Sequence, residues 1–266
     1  MTALFIDAVA LWAPTLPDWK LARAAFRGEG APVNPPRPRP SPGLLAPAER
    51  RRAPDTVALA LEVASMAVAA SGHAAAELAS VFTSAHGDTG LTDYLCRTLV
   101  HAPAAISPTR FLNSVHNAAS GCWTMAAGCM QPSTAVTAFK HSFAAGLLEA
   151  CVQAAADARA VLLVGYDIEA CGALAGSTAS CGLLGLALVL SPVRGLRSVA
   201  SLAWSLVPGP AVAAPLRSAA AQALAGNAMA DGLPLFEALA LERRTPICLP
   251  LSATLALELR LLALEA

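Results

Sequence analysis

Three features of the sequence predict an α/β fold with helices on both faces of a sheet. Segments with strand character alternate with segments of helical periodicity along most of the chain. Residues 160–165 and 182–190 are continuously apolar, which is typical of strands in the middle of a sheet that is covered on both faces. A helix predicted from His141 to Ala156 is apolar around nearly its whole circumference, which indicates burial in a large core.

The first part of the chain predicts a strand, a surface loop and a helix. Residues 3–12 are apolar, with β-branched and aromatic side chains, and predict an opening strand. Seven prolines between Ala31 and Pro47 predict an irregular excursion on the surface. From Asp55 to Ser71 the apolar residues recur at helical spacing, so we expect a helix with one buried face and with Asp55 capping its start.

The same patterns place the remaining elements in order along the chain. We expect a strand at 78–83, a loop at 84–90, a helix at 91–101, a loop at 107–117, a helix at 117–127 that Gly128 ends, a strand at 133–139, a strand at 197–206, a helix at 233–243 and a strand at 247–262. The tail from residue 196 is the least regular part.

The composition favours a permanent apolar interface. Hydrophobic residues make up 56% of the chain and charged residues 14%, against roughly 45–50% and 25% in typical soluble domains. A monomer of 266 residues cannot easily bury all of that excess, so part of it is expected to lie against a partner. A composition that is simply rich in alanine is the alternative explanation.

The charge balance excludes several classes of partner. Lysine plus arginine and aspartate plus glutamate each number 18, so no long-range field attracts nucleic acid or an anionic membrane. The sequence also contains no cluster of residues with the spacing of metal ligands. We therefore expect no nucleic-acid partner and no metal or redox cofactor.

The cysteines indicate a reducing compartment. There are seven, an odd number, and they form no CxxC motif and lie mostly inside apolar stretches. The N-terminus lacks the basic segment of a signal peptide, and no run of eighteen uncharged apolar residues occurs. We expect a cytoplasmic protein without a membrane span.

One stretch of the chain carries a resemblance to a known family. Its residues are Ser107, Pro108, Phe111, Ser114, Asn117, Gly121, Gly128, Pro132 and Ser133. In type and spacing they resemble the segment that leads to the active site in β-ketoacyl synthases of the thiolase fold. The likeness covers roughly residues 1–195, and it is similar to the short branch of that family, with the N-terminal domain only, that occurs in gene clusters for aryl polyene pigments.

The resemblance implies a layered thiolase-like fold of the αβαβα type. Residues 1–195 would form a complete N-terminal half of that fold. Residues 196–266 are too few for a full C-terminal half, so we expect an abbreviated region that packs on the same core.

The resemblance also locates the position of the family's nucleophile. Ketosynthases place a cysteine at the N-terminus of the buried helix, where unpaired N–H groups and the helix dipole lower the thiol pKa. Counting from Asn117 and from Gly165 with the family's spacing leads to Lys140, and a slip of one residue would give Phe139. Neither side chain can form a thioester, so the nucleophile position is vestigial.

The histidines of the family's chemistry are missing as well. Decarboxylative condensation uses two histidines, and in the family both come from the C-terminal half. All five histidines here precede residue 142: His73, His86, His101, His116 and His141. We therefore expect no catalytic residues and no ketosynthase activity from this chain alone.

Pairing with a second subunit would explain a degenerate ketosynthase. In type II polyketide systems a catalytic ketosynthase pairs with a degenerate sister, the chain-length factor, which shapes the acyl tunnel of a complex that extends chains on an acyl carrier protein. The resemblance implies that role here, with the strand before the nucleophile position pairing across the dimer. The implied interface residues are Ser133, Thr134, Ala135, Val136, Thr137, Ala138 and Phe139.

The tunnel would be lined or blocked by side chains of the 111–125 segment, which approaches the tunnel in the family. The candidates are Phe111, Leu112, Val115, Cys122 and Trp123. Ordinary core packing is at least as good an explanation for Phe111 and Trp123, because large aromatic side chains are mostly buried for packing.

Two other functions stay open on sequence grounds. Cys122 or Cys129 could be a displaced nucleophile of an acyltransferase or hydrolase, which would require a histidine such as His116 or His141 within hydrogen-bond reach. Alternatively, the chain could bind an acyl chain or a carrier protein without a ketosynthase partner. No GxSxG elbow and no glycine-rich phosphate loop support a serine hydrolase or a nucleotide-binding protein.

Overall fold

A computed structural model describes residues 2–209 and 212–264. Helices and strands alternate through most of the chain, as the sequence predicts. The helices are α1 (Trp19–Arg27), α2 (Pro47–Arg52), α3 (Asp55–Ser71), α4 (Thr89–His101), α5 (Pro108–Leu112), α6 (Ala118–Ala127), α7 (Ser142–Ala156), α8 (Ala175–Thr178), α9 (Ala219–Gln222) and α10 (Leu233–Ala240). The strands are β1 (Thr2–Trp12), β2 (Ala79–Thr83), β3 (Ser133–Val136), β4 (Val161–Asp167), β5 (Leu184–Ser191), β6 (Ala200–Pro208), β7 (Ile247–Pro250) and β8 (Leu255–Leu262).

All eight strands belong to one mixed sheet, in the order β3-β2-β4-β5-β1-β6-β8-β7. Strands β3, β2 and β4 run parallel to one another, and the other neighbours pair antiparallel. Because parallel neighbours end at the same edge of a sheet, the residues that follow β2, β3 and β4 lie close together. That edge holds the candidate site.

Both faces of the sheet are covered, which explains the continuously apolar strands. Helices α3 and α6 pack on one face, around a core that includes Trp12, Phe82 and Trp123. Helices α1, α7 and α10 pack on the other face, around a core that includes Phe143 and Phe236. The predicted α/β class with helices on both faces is confirmed.

Three predictions about helices are wrong in detail. Helix α3 is buried around most of its circumference and not on one face, because it lies between the sheet and α6. Its N-cap is Pro54, and Asp55 makes no capping hydrogen bond; the Asp55 carboxylate instead pairs with Arg39 at 2.7 Å. Helix α7 is buried on one face, and Val152 on its other face is 43% exposed.

Three strand predictions also differ from the structure, and the strand expected at 197–206 spans Ala200–Pro208. The strand expected at 133–139 ends at Val136, because the backbone turns there to reach the start of α7. The strand expected at 247–262 is a hairpin of two strands, β7 and β8, since Ser252 and Leu251 donate backbone hydrogen bonds to Leu255 across the turn.

The C-terminal strands extend the same sheet. Strand β6 pairs with β1 from Thr2 to Ile6, and β8 pairs with β6. The side chains of Leu202, Leu235, Leu249 and Leu257 join the core that contains α7. Among the described residues, no helix has both the length and the apolar character that a bilayer crossing requires.

Candidate functional site

The turn between β3 and α7 is a sharp strand-to-helix elbow. Phe139 has a φ of 53° there, in the left-handed region that side chains with a Cβ rarely adopt. The hydroxyl of Ser142 holds the turn: its Oγ accepts a hydrogen bond from the N–H of Ala138 (3.0 Å) and donates to the carbonyl of Phe139 (2.8 Å). The elbow is therefore fixed by local hydrogen bonds that offset the cost of the strained backbone.

Helix α7 begins directly above the end of β2. The hydroxyl of Thr83 donates to the carbonyl of Ser142 at 2.8 Å. One turn later, a Cβ on Gly146 would lie 2.8 Å from Cγ2 of Thr83, closer than real side-chain contacts allow. Only glycine permits this approach, so Gly146 sets how closely the helix lies over the sheet.

A cavity of about 230 Å³ opens beside the elbow. Four parts of the chain meet there: the loop after β2, the elbow itself, the end of α8, and a tail segment between α9 and α10. The lining residues are Ala85, His86, Phe139, Lys140, Thr178, Ala225, Asn227, Ala228, Ala230 and Asp231. No cysteine is among them, and the tail segment contributes an asparagine and an aspartate but no histidine.

Asp231 brings a carboxyl group to the N-terminal end of α7. Its Oδ2 accepts a hydrogen bond from the N–H of Ala144 at 3.1 Å, while its Oδ1 is buried and has no hydrogen-bond partner among the described residues. Burial raises the pKa of Asp231 to about 8, although hydrogen bonds from α7 act in the opposite direction. At neutral pH the group is mainly a neutral carboxylic acid. Since Oδ2 accepts an N–H, the acid proton belongs on Oδ1.

His86 and Asp167 form a buried pair on the other side of the cavity. Nε2 of His86 lies 3.7 Å from Oδ1 of Asp167. The Asp167 carboxyl also accepts from the hydroxyl of Ser84 (2.7 Å) and from the N–H of Ala85 (2.9 Å), while burial raises its pKa. Nδ1 of His86 is 3.0 Å from the carbonyl of Gly87, which can only accept, so Nδ1 carries a proton.

Asn227 fixes the tail segment over the elbow. Its Nδ2 lies within hydrogen-bond distance of three carbonyls, those of Asp167 (3.2 Å), Cys181 (3.1 Å) and Gly182 (3.1 Å). Its Oδ1 accepts from the N–H of Met229 at 3.0 Å. The side chain is fully engaged with backbone groups, so its role in this chain is to anchor the segment that carries Asp231.

The cysteines proposed as displaced nucleophiles lie away from this cavity. The thiol of Cys129 is buried and donates to the carbonyl of Leu78 at 3.4 Å. Cys122 lines a different cavity of about 400 Å³, and burial, followed by the charge of Glu49, raises the pKa of its thiol. In the part of the chain that the structure describes, no hydrogen bond joins either thiol to a histidine. The raised thiol pKa of Cys122, and the lack of a described hydrogen bond from either thiol to a histidine, disfavour the hydrolase hypothesis.

The five predicted tunnel residues do not form one cluster within this chain. Trp123 is buried in the core beneath α3, and Cys122 faces the larger cavity together with Met125. Phe111, Leu112 and Val115 are exposed on and after α5. These three apolar side chains are in contact with solvent in the isolated chain.

The predicted interface residues lie at the edge of the sheet. Strand β3 has β2 on one side and no strand on the other. Ser133, Ala135 and Thr137 are exposed, whereas Thr134, Val136 and Ala138 are partly buried. Phe139 is 49% exposed on the elbow, and Nζ of Lys140 lies 5.8 Å from the centre of its ring.

Comparison with known proteins identifies the family. The profile of the β-ketoacyl synthase N-terminal domain matches residues 24–248. The chain belongs to this family. The family predicted from the Ser107–Ser133 segment is thereby confirmed. A search of curated protein sequences gave no match.

Solved structures show the same fold as this β-ketoacyl synthase domain. A ketosynthase (ApeO) in complex with its chain length factor (ApeC) from Xenorhabdus doucetiae superimposes with a TM-score of 0.74 at 21% identity, covering 98% of this chain and 100% of the other. The ishigamide ketosynthase/chain length factor gives 0.73 at 16% identity, covering 99% and 100%. The AntDE:AntF complex, a type II ketosynthase with its acyl-carrier protein, gives 0.73 at 10% identity, covering 98% and 99%.

These likenesses confirm the thiolase-like ketosynthase fold at reduced size. The reduction takes a specific form in the described residues, where the C-terminal strands β6, β8 and β7 continue the N-terminal sheet. The similar chains are matched along nearly their whole length, so the short form of the domain is shared with them.

Sequence reasoning missed three residues of this site: His86, Asp167 and Asp231. A signal existed for the first two, because polar residues that directly follow two apolar strands converge when those strands are parallel neighbours. No comparable signal existed for Asp231. Its position depends on how the irregular tail crosses the sheet edge, which local sequence does not determine.

Proposed function

We propose that this chain is a chain-length-factor-like subunit that pairs with a catalytic β-ketoacyl synthase. One observation carries the proposal: a ketosynthase fold presents, at the elbow where the family resemblance places a cysteine, a phenylalanine and a lysine with no thiol and no tail histidine beside them. A fold that keeps the elbow while lacking its reactive groups is suited to completing a partner's site and not to condensation of its own.

Phe139 is the residue that occupies the nucleophile position in this proposal. The sequence left Lys140 and Phe139 as alternatives. Nucleophile elbows hold their reactive residue at the strained point of a strand-to-helix turn, and the positive φ falls on Phe139 and not on Lys140. An aromatic ring at that position can pack against its neighbours but cannot act as a nucleophile.

The edge strand β3 supplies the interface to the ketosynthase. A sheet edge with free N–H and C=O groups is a template for a strand from another chain. Large apolar side chains lie exposed around this edge, among them Met125, Met130, Phe139 and Val152. Their burial against a partner would account for the apolar excess of the composition.

Within the heterodimer, Phe111, Leu112 and Val115 are the tunnel-lining candidates that can reach a partner. All three are exposed on one short stretch at α5. Cys122 contributes through the cavity of about 400 Å³ behind that stretch. Trp123 supports the tunnel segment from within the core, since it is 1% exposed.

The assembly would extend acyl chains on an acyl carrier protein in the cytoplasm, in type II biosynthesis of an aryl polyene or a related polyketide. Structures with the same fold carry the names of ketosynthase and chain length factor complexes, and one includes an acyl-carrier protein. The seven cysteines are free, which agrees with a reducing compartment. Residues 196–266 form the reduced C-terminal half in this proposal, with residues 1–195 as the complete half.

A single substitution in β3 tests the interface. The N–H of Ser80 donates to the carbonyl of Pro132, so in the alternating pattern of a parallel pair the N–H of Ala135 faces away from β2. Ala135→Pro removes that outward donor and leaves the β2 ladder complete, while Ala135→Val retains it and serves as the matched control.

The test is co-expression with a catalytic ketosynthase encoded beside this chain, followed by size-exclusion chromatography. We expect a one-to-one complex with the wild type and with Ala135→Val, and a loss of at least tenfold in recovered complex with Ala135→Pro. If the wild-type chain forms no complex, or if Ala135→Pro binds as well as Ala135→Val, the proposed interface is wrong.

A further inference from the structure

A second cavity, of about 330 Å³, lies beside β1 where β6 no longer pairs with it. Strand β6 pairs with β1 as far as Ile6, opposite Ala200, and β1 continues beyond that point to Trp12. Helices α1 and α10, the start of β6 and the end of β8 surround the space. The lining residues are Val9, Trp19, Arg23, Val199, Ala200, Leu239, Glu242, Arg244, Leu261, Leu262, Ala263 and Leu264.

Most of the lining is apolar and part of it is in contact with solvent. The ring of Trp19 packs edge-on against Phe236, with 5.9 Å between the ring centres, and forms one wall. Val199 is 59% exposed and Leu262 46% exposed. Small-molecule sites typically have volumes of about 300–1,000 Å³, mainly apolar walls and a few polar groups. An occupant with an apolar body would remove these exposed side chains from water.

The polar groups of the cavity are accessible charges at its mouth. The side chains of Arg23 and Glu242 are 45% and 65% exposed, and Arg244 is exposed as well. Oε1 of Glu242 lies 2.8 Å from Nη2 of both Arg23 and Arg27, and Glu29 lies 4.0 Å from Arg27. Arg244 has no ion pair among the described residues. Three guanidinium groups thus face two carboxylates, and guanidinium groups stay charged at every relevant pH.

This arrangement favours an anionic head group. Exposed ion pairs contribute little stability, so Arg23 can exchange Glu242 for a ligand while Glu242 keeps its contact with Arg27. A cationic head group would have to compete with two arginines for Glu242. A neutral head group would leave the guanidinium of Arg244 without an ionic partner.

We propose that this cavity binds a single-chain alkyl ligand with an anionic head group. Its chain lies against Val9, Trp19 and Leu239, and its head group binds Arg244 and Arg23. None of the lining residues belongs to the elbow or to β3. The proposal is therefore independent of the proposed pairing with a ketosynthase.

Calorimetric titration of the purified full-length protein with decanoate at neutral pH tests the site. Decanol and decylammonium, which have similar chains, are the neutral and cationic control ligands. We expect decanoate to bind at one site and both controls to bind at least tenfold more weakly. Absence of decanoate binding, or equal or tighter binding of decylammonium, would overturn the proposal.

Two arginine substitutions separate the head-group contact from a general effect of charge. Arg244→Gln removes the unpaired guanidinium at the mouth and should weaken decanoate binding at least fivefold, with little change for decanol. Arg51→Gln removes an exposed arginine of α2, whose neighbours Leu45 and Ala53 pack on the opposite face of the sheet. It should leave decanoate affinity within about twofold of the wild type. Equal losses in the two variants would contradict a specific contact with Arg244.

A third substitution tests where the alkyl chain lies. Ala200 is partly buried and lines the cavity, so Ala200→Leu places additional side-chain atoms in the space of the chain. Decanoate binding should weaken at least tenfold, and circular dichroism verifies that each variant is folded. Wild-type affinity in a folded Ala200→Leu protein would show that the chain does not occupy this cavity.

Discussion

The carboxyl of Asp231 accepts a hydrogen bond from the N–H of Ala144 at 3.1 Å, so a residue of the C-terminal tail occupies the N-terminal end of the helix that follows the elbow. In ketosynthases a thiolate benefits from that positive helix end. Here an acid with a pKa of about 8 lies there, joined to the helix by hydrogen bonds. The contact also joins the last quarter of the chain to the first turn of α7.

Because the pKa of Asp231 is raised, the free energy of unfolding should depend on pH. The pKa is about 8 in the folded protein against an ordinary value of 3.8. Between these values the folded state holds a proton that the unfolded state has lost, so the free energy of unfolding falls as pH rises, by up to about 1.4 kcal/mol per pH unit.

Asp231→Asn removes this titration and retains the acceptor for Ala144. Urea unfolding at pH 5 and pH 8 should show that the variant gains stability relative to the wild type by about 2 kcal/mol or more between the two pH values. A difference between the two proteins that does not change with pH would show that Asp231 is ionised in the folded state.

The strained backbone at Phe139 predicts that glycine is tolerated better than alanine. With φ at 53°, a Cβ is unfavourable and glycine is not. Phe139→Gly should be about 1 kcal/mol more stable to urea than Phe139→Ala, which loses the same ring contacts. If the alanine variant were the more stable, the elbow would not hold the left-handed conformation.

Alanine substitutions at two helical glycines should change the free energy of unfolding in opposite directions. A Cβ on Gly146 would lie 2.8 Å from Thr83, whereas a Cβ on Gly121 has no atom within 4 Å. Gly146→Ala should lower the free energy of unfolding by about 1–3 kcal/mol through overpacking. Gly121→Ala should raise it by about 0.5–1 kcal/mol through helix propensity. Equal effects in urea unfolding would contradict the close packing of α7 on β2.

Much of the fold could be predicted from the sequence, and the errors have physical reasons. The strands β1, β2, β4 and β5 were predicted because continuous apolar runs of their length have few alternatives in a covered sheet. The predicted strand end at residue 139 was wrong. The β-branched Thr137 favours a longer strand, but the Ser142 hydroxyl accepts a hydrogen bond from the N–H of Ala138 and the backbone turns. Such a contact with a residue beyond the turn is not visible in local propensity.

The candidate site was predicted only in part. The elbow came from the resemblance in the Ser107–Ser133 segment, and the lack of tail histidines came from a simple count. The proposal of Phe139 over Lys140 at the nucleophile position rests on the positive φ of Phe139, which the sequence does not reveal. The Asp231 contact needed the path of the tail, which depends on the packing of residues far apart in the chain.

Restoring a thiol at the elbow should not restore condensation. Phe139→Cys and Lys140→Cys each supply a nucleophile, but in both variants the tail still presents Asn227 and Asp231 to the cavity. After incubation with an acyl carrier protein that carries malonyl and acyl groups, intact-protein mass spectrometry should find no elongated chain above the wild-type background. Elongation by either variant alone would show that the tail histidines are dispensable.

Elongation of an acyl thioester on its carrier protein, followed by mass spectrometry in three parallel mixtures, tests the central claim most directly. The mixtures contain this chain alone, the neighbouring ketosynthase alone, and both proteins together. We predict that only the mixture of both proteins gives full-length product at the normal rate and that this chain alone gives none. Elongation by this chain alone, with its partner absent, would contradict the account.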